Sequence, residues 1–158
     1  MQTTNDILFK IESRKSHLGV YYYLFLVQFR GGARIQEALN ISLTDIDDNG
    51  NCIINGLKNS GSRIVYVPES AAYFKRCISD QILPFAHCNR FSAYRHLRNM
   101  GIGITKKGRV KASVTHVFRE IKMQSARQLT SDANVLKSVL SHNSIKSVSY
   151  YGKDSKSK

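Results

Sequence analysis

Arg34, Lys58, His116, Arg119, His142 and Tyr151 are side chains of the types that can bind a phosphate, move a proton or attack as a nucleophile. Each is unremarkable alone. Arg34 follows Gly31-Gly32 in "GGARIQEALNISLTDID" and opens an amphipathic helix, with Glu37 three residues on. Taken alone, that pair reads as a surface ion pair of little worth. Lys58 sits in the turn "GLKNSGSR". In "VTHVFREIKMQSARQL", His116 and Arg119 stand three apart, which puts them on one face of a helix, one turn apart. "SVLSHNSIKSVSYYGK" places His142 nine residues before Tyr151. The ordered set of arginine, turn lysine, His-x-x-Arg, histidine and tyrosine is far more specific than its parts. Every member suits phosphoryl transfer.

The rest of the sequence must position these groups. A chain of 158 residues with 42% hydrophobic residues builds one domain with a real core. Its net charge is +13, from 24 Lys and Arg against 11 Asp and Glu, which points to a polyanionic partner. The basic residues crowd between Arg90 and Lys122, where Glu120 is the single acid. Such a block attracts a phosphate backbone and loosens steeply with salt. Cys52, Cys77 and Cys88 form no CxxC pair and are odd in number, which fits neither a disulfide framework nor a zinc knuckle but a reducing cytoplasm. The opening "MQTTNDILFK" is too polar for a signal peptide. The run Leu18–Phe29 has 12 residues, too few to span a bilayer, and reads as one buried central helix.

Periodicity predicts a helix with Thr4 or Asn5 as its cap and Ile7, Leu8 and Ile11 on one face. The Leu18 helix ends at the glycine pair 31–32, and a short helix carries Arg34, Ile35, Ala38 and Leu39. Asn49-Gly50 and the segments "CII" and "RIVYV", the latter stopped by Pro68, predict an antiparallel sheet of about three strands over 45–68. Further helices are expected near 70–82, 91–99, 115–129, 132–141 and 144–152, with Val117, Phe118, Ile121 and Ala126 facing the core. Residues 100–113 read as a flexible basic connection. The expected fold class is mainly α with a small antiparallel β-sheet (α+β).

From about Leu18 to Tyr151 the chain resembles the catalytic domain of the tyrosine recombinase (phage integrase) family. "GGARIQEALNISLTDID" is similar to its first-arginine box, "LKNSGSRIVYVP" to its hairpin lysine, basic strand and proline, "HVFR" to its His-x-x-Arg box, and "VLSHNSIKSVSYY" to its Leu-Gly-His segment. The nine-residue spacing from His142 selects Tyr151 rather than Tyr150, which lies about 100° away round a helix and packs. The chain departs from the pattern at Ser141, where glycine is usual, and at Glu120, where histidine is common. Its Lys58 turn is long, and only "GKDSKSK" follows Tyr151.

The resemblance implies a recombinase or integrase that cleaves and rejoins double-stranded DNA through a 3′-phosphotyrosine, with self-association as a tetramer on DNA and accessory proteins as further partners. Arg34 and Arg119 would bracket the non-bridging oxygens with planar donor forks. Because they supply the positive charge, no metal and no cofactor are expected. A tyrosine titrates near pH ~10, so the nucleophile Tyr151 needs that field and a base, for which His116 is suited. Lys58 would protonate the departing 5′ oxygen, and His142 would donate to a phosphate oxygen. Glu37 would orient Arg34 or a neighbouring helix. The expectation is a single catalytic domain over 1–158, lacking a core-binding N-terminal domain, with a polar basic tail at 152–158, a cytoplasmic location and no membrane partner. A non-catalytic DNA-binding module on the same scaffold, or a strand-relaxing topoisomerase-like enzyme, would carry the same basic charge.

Overall fold

The computed structural model describes residues 4–56 and 61–103, together with Phe118, Ile121 and Lys122. Helix α1 spans Thr4–Ser13, so Thr4 and Asn5 lie inside it rather than capping it. Ile7 and Ile11, one turn apart, are its buried residues.

The helix expected over Leu18–Phe29 is present but starts two residues later, at Val20. α2 spans Lys15–Leu18 and α3 spans Val20–Gly31, with Gly19 between them at φ 58°, ψ −129°. A side chain at that φ would be strained, so the glycine separates α2 from α3. α3 is central as expected: Tyr22, Leu24, Phe25, Leu26, Val27 and Gln28 are all buried. Gly32 ends it in the left-handed conformation, φ 60°, with its N–H donating to the Gln28 carbonyl. α4, Ile35–Leu39, begins three residues later.

Strands β1 (Asn51–Ile54) and β2 (Arg63–Tyr66) pair antiparallel, with Cys52 opposite Val65 and Ile54 opposite Arg63. The third strand reduces to one bridge, Ile46 to Cys52. Side chains on either side of Ile46 hold the backbone in turns. Asp45 accepts from the Ser42 N–H at 2.9 Å. Asp47 accepts from the N–H groups of Asn49 and Asn51, both at 2.9 Å. These local bonds compete with a ladder. Pro68 opens a 3-10 turn, after which come α5 (Ala71–Asp80) and α6 (Arg90–Asn99). Asn89 caps α6, its side chain accepting from the Ser92 N–H at 2.8 Å.

α3 packs against α1, α2, α4 and β2. The core joins Ile7, Ile11, Phe25, Leu26, Ile54, Val65, Phe74, Leu97 and Phe118. Met100 and Ile102 are also buried, so the segment read as a loose connection starts inside the core; residues 104–113 lie outside the described residues. Phe118 and Ile121 are helical and buried as expected, while Val117, Ala126 and the helices expected at 132–141 and 144–152 are likewise outside. The class is mainly α with a small antiparallel sheet. Among the described residues no helix is long and apolar enough to cross a membrane.

Two contacts have measurable consequences. A Cβ on Gly31 would stand 2.6 Å from Ile54 Cδ1 and 2.8 Å from Val65 Cγ2. Alanine favours a helix by about 1 kcal/mol, but overpacking costs about 1–3 kcal/mol. Gly31→Ala is therefore expected to destabilise by about 1 kcal/mol net, read from a urea midpoint.

Glu69 in the 3-10 turn pairs in a two-point fashion with Arg30 of α3, whose Nη2 lies 2.6 Å from Oε2. Those bonds hold the Glu69 carboxyl below its ordinary range. A depressed carboxylate contributes stability above its unfolded pKa of about 4.3 and loses it as pH falls through the folded value. The stability gap between the parent and Glu69→Gln is accordingly expected to shrink on acidification below about pH 4, and thermal midpoints recorded against pH will show it.

Candidate active site

Arg34 stands at the entrance to α4 with extended backbone, φ −68°, ψ 150°. The turn before it is tightly specified. Gly32 supplies the left-handed step, and the buried Gln28 donates from Nε2 to the Ala33 carbonyl at 3.3 Å. Glu37, at the third position of α4, reaches back so that Oε1 accepts the Arg34 N–H at 2.9 Å. That is the acidic half of a capping box. Its other oxygen accepts from Arg34 Nη1 at 3.2 Å.

This is no surface ion pair. The Glu37 side chain is 0% exposed, whereas that of Arg34 is 22% exposed. A buried carboxylate needs full compensation, and a second cation supplies it. Arg63, the first residue of β2, donates from Nε to the Gly31 carbonyl at 2.9 Å and from Nη2 to Glu37 Oε1 at 3.5 Å. Burial lowers the Arg63 pKa, and the like charge of Arg34 lowers it further, while Glu37 opposes both. Arg63 Nη1 is buried without a hydrogen-bond partner among the described residues. Two guanidiniums thus share one buried carboxylate, and Arg34 is the more exposed of them.

Close by, Asn55 follows β1 and Ser62 precedes β2. Ser62 Oγ donates to Asn55 Oδ1 at 2.9 Å, and Asn55 Nδ2 lies 3.3 Å from both oxygens of Asp45. The hairpin base is thereby tied to the aspartate-bearing turn. Lys58 belongs to the connection between them, in 57–60, outside the described residues.

Phe118 packs on α3, its ring 6.1 Å from Phe25 and 6.3 Å from Phe29. Lys122 is half-buried, and burial together with the charge of Arg63 lowers its pKa. His116, Arg119, His142 and Tyr151 lie outside the described residues. Of the six residues expected from the sequence, Arg34 is therefore the one described, and its partners Glu37 and Arg63 come with it.

The sequence analysis singled out Glu37 but assigned no role to Arg63. A signal was present. The alternation in "RIVYV" puts Arg63 on the face of the buried Val65 and Val67, with Ile64 and Tyr66 exposed on the other. A basic residue at an inward position demands a buried acid. The open depression lined by Glu12, Lys15, Tyr22, Tyr23, Tyr73 and Arg76 contains none of these residues and belongs to another side of α3.

Arg34 on the turn and Arg63 on β2 flank one buried carboxylate, and the partly exposed Arg34 guanidinium is a planar donor of the kind that can bind a phosphate oxygen. The chain belongs to the phage integrase family, which matches residues 3–158. No curated protein sequence matches. Among solved structures, it is similar to the crystal structure of XerA recombinase, with a TM-score of 0.67 and 20% identity over 99% of this chain. It is also similar to the Tn1549 transposon integrase, solved in complex with circular intermediate DNA, at TM-score 0.56 and 14% identity over 85% of this chain. The same integrase with transposon right end DNA matches equally, at TM-score 0.56 and 14% identity. This chain spans 59% of the length of XerA recombinase and 56% and 55% of the two integrase chains.

Proposed function

We propose that residues 1–158 form the catalytic unit of a tyrosine-type site-specific DNA recombinase, which breaks and rejoins strands through a 3′-phosphotyrosine. The observation that carries this reading is the Arg34 guanidinium. In a chain of the phage integrase family, it sits on a turn held by the buried Glu37 carboxylate and is itself partly exposed. The solved complexes of the Tn1549 integrase with DNA support double-stranded DNA as partner, and so does a net charge of +13.

Arg34 and Arg119 bind the two non-bridging oxygens of the scissile phosphate and stabilise the charge that builds on them. Phe118, one residue before Arg119, is anchored on the helix that leads to Arg34, which favours a common site. His116 takes the Tyr151 proton, the phenolate oxygen attacks phosphorus, and the bond to the 5′ oxygen breaks. Lys58 protonates that oxygen, and His142 donates to the phosphate. The phosphotyrosine retains the bond's energy, so a second strand's 5′ hydroxyl reverses the step without ATP. On DNA, four copies exchange strands, with accessory proteins as further partners.

The test uses a pool of nicked duplexes of randomised sequence, in which cleavage beside the nick releases a short fragment and prevents rejoining. Protein is incubated with the pool, denatured and resolved. The expected result is a denaturation-resistant protein–DNA adduct whose DNA, once sequenced, converges on a preferred site. Folded protein that binds the pool and forms no adduct would overturn the proposal in favour of a binding module.

A further inference from the structure

Arg63 is an unusual component of a small hairpin. It is a cation at an inward strand position, with its side chain only 11% exposed. It is anchored twice, to the carbonyl of Gly31 and to Glu37, on either side of Arg34 in sequence. Without it, Arg34 and the buried Glu37 would form a neutral pair, and the carboxylate would offset the charge that Arg34 presents to an anion. With it, two positive charges face one negative charge, and the turn is tied to the strand that follows the Lys58 connection.

We propose that Arg63 is a positioning residue for Arg34: by sharing Glu37, it keeps the turn net positive and sets the direction in which the Arg34 guanidinium meets a phosphate. This rests on the reading of Arg34 as a phosphate ligand. The role is electrostatic and geometric, with Arg63 acting through Glu37 rather than touching DNA. Lysine can supply the charge but not the two divergent donors that reach Gly31 and Glu37 together.

Charge compensation gives a test that simple damage to the fold would not pass. The duplex recovered from the randomised pool serves as substrate, and adduct formation is timed with DNA in excess. Arg63→Met is expected to slow the saturated step about tenfold or more, short of the ~10²–10³-fold seen when a direct donor is lost. The half-saturating DNA concentration should move by less than about threefold, because backbone contacts elsewhere supply most affinity. Arg63→Lys should fall between parent and Arg63→Met. Adding Glu37→Gln to Arg63→Met removes the carboxylate that offsets Arg34 and is expected to restore at least about fivefold of the rate, although it deletes a further ionic contact. A double variant no faster than Arg63→Met, or Arg63→Met within about twofold of parent, would overturn the proposal.

A second measurement does not depend on cleavage. Inorganic phosphate is titrated into labelled protein and followed at the Arg34 Nε–H resonance. The apparent Kd should rise at least about threefold in Arg63→Met and return toward the parent value in the double variant. Equal constants in all three proteins would refute the role of Arg63 even if the parent forms no adduct. Loss of adduct with this pattern intact would refute only the recombinase reading.

Discussion

Tyr151→Phe is expected to bring adduct formation below detection, a loss of at least about 10³-fold, while Tyr150→Phe stays within about threefold of the parent. The substitution removes one oxygen and leaves the ring. Packing and DNA affinity should therefore persist, and thermal midpoints of both variants should match the parent within about 2 °C. The asymmetry follows from the nine-residue interval between His142 and Tyr151. On a helix, neighbouring residues project about 100° apart, so two adjacent phenols cannot both face one phosphate. Timed adduct formation on the recovered duplex reads the difference directly. An adduct that survives in Tyr151→Phe and vanishes in Tyr150→Phe would place the nucleophile one residue earlier.

Arg34→Ala is the second large effect, and it has two components. In catalysis, removing one of two guanidiniums from the scissile phosphate is expected to cost about 10²–10³-fold in adduct rate at saturating DNA. In stability, Glu37 loses the bond from Arg34 Nη1 but keeps the Arg34 backbone N–H and the contact with Arg63. That is a partial loss, about 1–3 kcal/mol rather than the larger cost of stranding a buried charge. Arg34→Lys retains charge without the planar fork, so its rate should lie between parent and alanine. Urea unfolding monitored alongside the adduct rate separates the components. Equal rates for parent and Arg34→Ala, measured on folded protein, would remove Arg34 from the site.

Much of this was legible before any coordinates, because local chemistry fixes local structure. Gly32 must end α3, Asn49-Gly50 must turn, and the apolar run must be central; each holds. The misreadings share a physical cause, the neglect of competing local or tertiary terms. Gly19 was lost inside an apolar run, though its positive φ separates two helices. A third strand was expected within 45–68, but Asp45 and Asp47 capture the backbone on either side of Ile46.

The Glu37 pair looked superficial, since spacing along one helix cannot show that a strand some 26 residues later closes over it. Arg63 illustrates the same limit. The strand's alternation puts Arg63 on the inward face with Val65 and Val67, but that the acid meeting it is Glu37 depends on how the strand closes over the turn. The sequence could single out Arg34 and Glu37, whereas the burial of Glu37 between two guanidiniums depends on contacts across the fold.

The claim beneath the mechanism is convergence: two arginines far apart in sequence must meet at one phosphorus within reach of the Tyr151 oxygen. A crystal structure of the protein with a vanadate-bridged nicked duplex measures that arrangement. The account predicts five-coordinate vanadium, with Arg34 and Arg119 donating to equatorial oxygens at about 2.7–3.1 Å and the Tyr151 oxygen apical. Arg119 farther than about 6 Å from the vanadate oxygens, or a different residue in the apical position, would contradict it.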